Sequence, residues 1–160
     1  MTDLEKLLER LVKQQVEFVV VGGYAAVAHG ASYVTFDLDI CCPLDQANVE
    51  KVYAAVSDLH PYYRESPQEK AFEVTPGLLR GLNNLYIKTD LGPLDCLGSL
   101  PEIGDYAFTK ANSVWAELPF GMCRFLNCQT LILVKETLRR PKDLLVAKQL
   151  RAILEATSDQ

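Results

Sequence analysis

The chain has no run of about 18 apolar residues, so no segment of it reads as a membrane-crossing helix. It has no C-x-x-C pair, and its five cysteines are an odd number, which fits poorly with a complete disulfide framework. They read as free thiols in a reducing cytoplasm, and Cys41 and Cys42 as small core residues. Positive charge is in short supply: the net charge is −5, so the whole-molecule field would not draw the chain to nucleic acid or to an anionic membrane. Arg139, Arg140, Lys142, Lys148 and Arg151 do gather late in the chain, where they read as charges solvating helix faces. Repeats, low-complexity tracts and linkers are missing too, and 160 residues suit one compact domain. The opening M-T-D-L-E-K-L-L-E-R is acidic and amphipathic, unlike a secretory signal, which points to the cytoplasm.

What is present is a legible order of elements. Thr2 and Glu5 form a capping box, predicting a helix through about residue 14 with Leu4, Leu7, Leu8, Leu11 and Val12 on one face. Residues 18–21 read as a buried strand ended by Gly22-Gly23, residues 24–29 as a short alanine-rich helix capped by Gly30, and 33–42 as a second strand. Residues 44–59 have helical spacing. The stretch 60–84, broken by prolines and glycines, reads as short strands and loops. Strands are expected at 85–89 and 94–97 around a Gly92-Pro93 turn, and a hairpin at 113–118 and 122–126. Asn127 can cap a helix over 128–139, and Pro141 opens a last helix to about 156. Because strict β-α alternation fails in the second half, the expected class is α+β, a mixed twisted sheet flanked by helices.

The run T-F-D-L-D-I, 35–40, puts acids where a strand disfavours them. Residues i and i+2 of a strand share a face, about 7 Å apart along the chain, so Asp37 and Asp39 project together, with Thr35. Adjacent carboxylates repel unless a cation lies between them, and Mg²⁺ or Mn²⁺ suits an all-oxygen site. Asp95, an acid in the apolar strand L-D-C-L, is the candidate third ligand. Three carboxylates can hold two metals about 3.5–4 Å apart, the arrangement used in phosphoryl transfer. Upstream, V-V-V-G-G-Y-A-A is strand, glycine pair, helix, and the glycines let backbone approach an anion at a helix N-terminus. The pair matches neither G-x-G-x-x-G nor a Walker A loop, so its force comes from its nearness to D-x-D. His29, at a helix end, reads as structural.

Gly22-Gly23, the helix ending in His29-Gly30, and Thr35-x-Asp37-x-Asp39 together resemble the active-site signature of the DNA polymerase β-like nucleotidyltransferases. The similarity is to their small bacterial minimal and abortive-infection (AbiEii-like) type. Leu94-Asp95-Cys96-Leu97 resembles that superfamily's third-carboxylate strand. Lys135 and Arg140-Pro141-Lys142-Asp143 resemble its closing helices. The resemblance implies one nucleotidyltransferase-like domain over 1–160, with a core at about 15–127 and C-terminal helices at about 128–156. It implies transfer of a nucleoside monophosphate from an NTP to a hydroxyl, with release of pyrophosphate. Asp37, Asp39 and Asp95 would be catalytic and hold Mg²⁺ or Mn²⁺. Gly22, Gly23, Thr35, Lys135 and Lys142 would bind the nucleotide. The acceptor could be a tRNA end, a protein hydroxyl or a small molecule. The alternative is a nucleotide- or partner-binding module of a toxin–antitoxin-type system that turns nothing over, with a partner protein.

Two departures stand out. Many relatives carry serine at the position of Gly23, and many close ones carry arginine at that of Tyr33. D-x-D also marks nucleotide-sugar glycosyltransferases, which need a longer chain. It opens haloacid-dehalogenase-type phosphatases too, but there threonine follows, not Ile40-Cys41-Cys42.

Overall fold

Three consecutive valines, all buried, make the strand on which everything else is hung, β1 (Val19–Val21). A strand with no exposed face must be covered on both sides, and helices do this. The computed structural model describes residues 2–158. In chain order the remaining elements are α1 (Leu4–Lys13) ahead of β1, then α2 (Gly22–Ala28), β2 (Leu38–Cys41), α3 (Gln46–Val56), β3 (Tyr62–Tyr63), β4 (Asn84–Thr89) and β5 (Gly92–Leu97). There follow β6 (Ser99–Leu100), β7 (Gly104–Asp105), α4 (Tyr106–Ala111), β8 (Ser113–Leu118), β9 (Gly121–Leu126), α5 (Cys128–Leu138) and α6 (Pro141–Ser158).

Seven strands pair in the order β3-β4-β5-β2-β1-β9-β8. β1 runs antiparallel to β2 but parallel to β9, and β2 runs parallel to β5, so the sheet is mixed. The expected α+β class, a mixed sheet flanked by helices, is the one found. α1 packs on α3, α2 packs on β1, β2 and α5, and α5 packs on α6. Leu7, Leu8, Leu11, Val20, Leu38, Ile40, Ile87 and Leu94 lie in one continuous core. All five cysteines are free thiols, four of them buried. No helix among the described residues is long and apolar enough to cross a membrane.

Several local expectations need correcting. Asp3, not Thr2, caps α1: its side chain accepts from the Lys6 N–H, and its own N–H is tied to the Leu91 carbonyl. Aspartate caps as well as threonine does, so a cap shifted by one residue costs nothing. The second strand begins at Leu38, and residues 33–37 form a loop. Gly22-Gly23 is not a turn after the strand but the first residues of α2. The β4–β5 turn falls at Asp90-Leu91, and Gly92 and Pro93 belong to β5. β3 lies in the 60–84 stretch, where short strands are expected, whereas β6, β7 and α4 have no counterpart in the sequence reading.

Candidate functional site

The strand register builds the site. Val21 pairs with Asp39, Asp39 with Asp95, and Asp95 with Tyr86, so four side chains line up across β1, β2, β5 and β4 on one face. Asp37 stands just ahead of β2, two residues from Asp39, and turns the same way. One carboxylate oxygen from each of Asp37, Asp39 and Asp95 lies within 4.8 Å of the others. The three acids expected to meet therefore do meet.

Their electrostatics are unfavourable as they stand. Burial, then the charges of Asp37 and Asp95, push the Asp39 pKa up to about 7. Burial raises that of Asp95 as well, against the opposing pull of Arg64. Arg64 Nη1 lies 2.9 Å from Asp95 Oδ1 and 4.0 Å from Asp37 Oδ2. Asp95 Oδ1 is nevertheless a buried oxygen with no hydrogen bond. The two observations agree once direction is considered: the guanidinium is close, but no N–H is aimed at that oxygen. A buried acceptor without a donor is costly, and a hard cation among three carboxylates would satisfy it. The donor set, all oxygen and all acidic, fits Mg²⁺ or Mn²⁺.

The acids open onto a cleft of about 280 Å³, walled by Gly23, Tyr33, Thr35, Tyr86 and Leu97 and, from the C-terminal helices, Lys135, Arg140 and Lys142. Hollows of about 410 Å³ beside Trp115 and about 490 Å³ beside His60 are larger, but neither adjoins a carboxylate trio. Thr35 donates its hydroxyl to the Asp37 carbonyl at 3.0 Å, which braces the 33–37 loop. Along this loop Tyr33, Thr35 and Asp37 are part-buried, whereas Val34 and Phe36 stand in solvent.

The two glycines do different things. Gly22, at φ +70°, is set directly against Asp39: a Cβ there would stand 2.2 Å from Asp39 Oδ2. Glycine is needed both for the left-handed backbone and for that approach. Gly23 lines the cleft, and a Cβ on it would lie 2.6 Å from the Tyr33 ring and 3.1 Å from Thr35 Oγ1. The two departures from the resembled signature thus compensate one another: the Tyr33 ring fills the space that a side chain at position 23 would use. Gly23→Ser alone should therefore lower stability by about 1–2 kcal/mol as the ring is pushed aside. Adding Tyr33→Arg should recover most of that loss in thermal melts. An unchanged melting temperature for Gly23→Ser would show that the ring yields freely.

The cations are less free than the sequence suggests. Lys135 is buried, its Nζ 3.4 Å from Asp143 Oδ1 and 5.8 Å from the centre of the Tyr33 ring. Arg140 also binds Asp143, through Nε and through Nη2 at 3.3 Å from Oδ1. Burial alone would raise the Asp143 pKa, but the hydrogen bonds and charges of Arg140 and Lys135 outweigh it and hold the carboxyl below its ordinary value. Lys142 is exposed at the rim of the cleft. His29 Nε2 lies 2.8 Å from the Leu126 carbonyl and donates to it, a structural use as expected. The sequence reading missed Arg64 and Tyr86. It gave Arg140 no part in the cleft and did not foresee that Asp143 organises the cations. The R-P-K-D run was the available signal for the last two; Arg64, in the irregular middle, offered none.

No family model matches the sequence, and no curated protein matches it. Solved structures do resemble it in shape. ANT(2″)-Ia in complex with adenylyl-2″-tobramycin superposes with a TM-score of 0.55 at 14% identity, covering 98% of this chain and 95% of that one. The solution structure of the same antibiotic-resistance factor gives 0.56 at 14% identity over 98% and 91%. TM1012 of Thermotoga maritima, a proposed nucleotidyltransferase, gives 0.56 at 19% identity over 96% and 91%. At these identities the likeness is one of architecture: the chain has a nucleotidyltransferase-like fold.

Proposed function

We propose that the protein is a divalent-metal-dependent nucleotidyltransferase, moving a nucleoside monophosphate from an NTP to a hydroxyl. The observation that carries this is the orphaned, buried Asp95 oxygen within a three-carboxylate cluster that faces a cation-walled cleft. Asp37, Asp39 and Asp95 would hold Mg²⁺ or Mn²⁺, which when bound supplies positive charge at the reacting phosphoryl oxygens.

The chain's own groups account for the rest. Lys142 and Arg140, at the mouth, meet the triphosphate first, and Lys135 sets a positive wall behind Tyr33. Gly23 lines the cleft against the Tyr33 ring, and Thr35 keeps the loop that carries Asp37 in place. Gly22 allows Asp39 to come close to the start of α2. Asp95, on the buried side of the trio, would take the acceptor's proton. The acceptor oxygen bonds to the α-phosphorus, and the bond to the bridging oxygen breaks. Pyrophosphate leaves with the electron pair, and the proton passes through Asp95 to solvent.

The neighbour bound to adenylyl-2″-tobramycin supports a nucleotide joined to a small-molecule acceptor as one outcome in this fold. A tRNA end or a protein hydroxyl are the other acceptor classes. The test incubates the protein with each labelled NTP, Mg²⁺ and a cell lysate. Label should move to an acceptor and pyrophosphate should appear in equal amount. Neither event in any NTP would overturn the assignment.

A second reading, a nucleotide- or partner-binding module of a toxin–antitoxin type without turnover, has one observation in its favour. Arg64 already brings a positive charge to the trio. That reading calls for stable association with a second protein and no pyrophosphate.

A further inference from the structure

Arg64 follows the two-residue strand β3 and is pinned there by its backbone, whose N–H donates to the Tyr86 carbonyl at 3.1 Å. Its guanidinium lies 5.2 Å from the centre of the Tyr86 ring, and Tyr86 is the residue paired with Asp95 across the sheet. The chain thus delivers a planar cation to the edge of the acid trio, steadied by an aromatic face.

An ordinary surface ion pair would have an exposed partner and little effect. The Asp95 side chain is only 11% exposed, and the other near cation, Lys135, is committed to Asp143. The Arg64 contact is close to Asp95 but badly directed, because the oxygen it approaches receives no hydrogen bond. Such a contact offsets charge without locking the geometry, and a divalent ion can displace it.

Granting the divalent-ion reading of the trio, we infer that Arg64 is its resident countercharge and a positioning residue of the reaction. It holds Asp95 toward the cleft while no ion is bound. It gives up that carboxylate when the ion arrives, and its freed donors then face the phosphate side of the cleft.

The test titrates Mn²⁺, with no nucleotide, into wild-type protein and into Arg64→Gln, Arg64→Lys and Asp37→Asn/Asp39→Asn, each first shown to be folded by circular dichroism. Arg64→Gln should bind Mn²⁺ roughly three- to tenfold more tightly, since no guanidinium has to be displaced. Arg64→Lys should stay near wild type. With chelator present, Arg64→Gln should melt lower, and at saturating Mn²⁺ it should bind inorganic pyrophosphate several-fold more weakly than wild type. Equal Mn²⁺ affinity in wild type and Arg64→Gln overturns the role of Arg64 and leaves the metal reading standing. Mn²⁺ binding by Arg64→Gln alone supports the role. No binding by any of the proteins, or full binding by the double aspartate variant, overturns both.

Discussion

Asp37→Asn/Asp39→Asn should abolish divalent-dependent NTP binding and lower transfer on the order of a thousandfold, while leaving the fold intact. The size follows from the several kcal/mol of charge stabilisation that a coordinated ion gives at phosphorus. The fold should survive because neither side chain is part of the core: Asp37 is 41% exposed, and the core-facing residues of this strand are Leu38 and Ile40. The same variant carries a stability signature of definite sign. In metal-free protein the Asp39 pKa is near 7, above the unfolded value of about 3.9. Between those values the folded state holds the proton more tightly than the unfolded state, so stability falls as pH rises. This contribution is complete below about pH 4 and has gone above pH 7. Asparagine does not ionise. In chelator at pH 8 the variant should therefore be more stable than wild type by about 1–2 kcal/mol, the figure being reduced by solvent and by Arg64. The two should converge as the pH falls to about 4. Calorimetry at both pH values reads it directly. A lower melting temperature for the variant at pH 8 would mean that the aspartates act as hydrogen-bond acceptors for the fold.

That the acids would converge was readable because strand geometry is regular. Two residues apart means one face, and an acid inside an apolar run announces a site. The error at 33–37 has an equally simple cause. Tyr33, Thr35 and Asp37 alternate with Val34 and Phe36, which is the period of a strand. A strand also needs a partner, however, and β1 has already turned into α2 beyond Val21. On the other side the register would set Asp37 beside Pro93, which has no N–H to offer. Alternation therefore survives as a loop with one wet and one cleft-facing side. α4 escaped notice because it spans six residues and buries only Thr109, too short for any helical period. Arg64 was invisible for another reason. Its place is set by pairing between β3 and β4, whose paired residues lie more than twenty positions apart, and no local pattern encodes such a contact. The cations of α5 and α6 were recognised by type, but their mutual arrangement depends on how the two helices pack.

Asp143→Ala tests that arrangement and should be the most destabilising single change in the cleft. Asp143 is 1% exposed and receives both Lys135 and Arg140. Arg140 is largely in solvent and can find water; Lys135, 5% exposed, cannot. Removing the carboxylate strands a buried ammonium, which costs about 3 kcal/mol or more. For a chain of this size that is a fall of about 6–12 °C in melting temperature. Adding Lys135→Met, which removes the stranded charge but keeps its bulk, should restore roughly half the loss. The pH dependence runs opposite to that of Asp39. The Asp143 pKa is lowered in the folded state, so the stability it contributes is present above the ordinary carboxylate range and disappears as pH falls through the folded value. Acid should therefore narrow the gap between wild type and Asp143→Ala. NTP affinity should fall in Asp143→Ala even at temperatures where it is fully folded, because Arg140 and Lys135 lose the anchor that faces them toward the cleft. The double variant should recover stability without recovering affinity. If Asp143→Ala melts within two degrees of wild type, the carboxylate does not organise the cations, and the positive wall of the cleft must be held by helix packing alone.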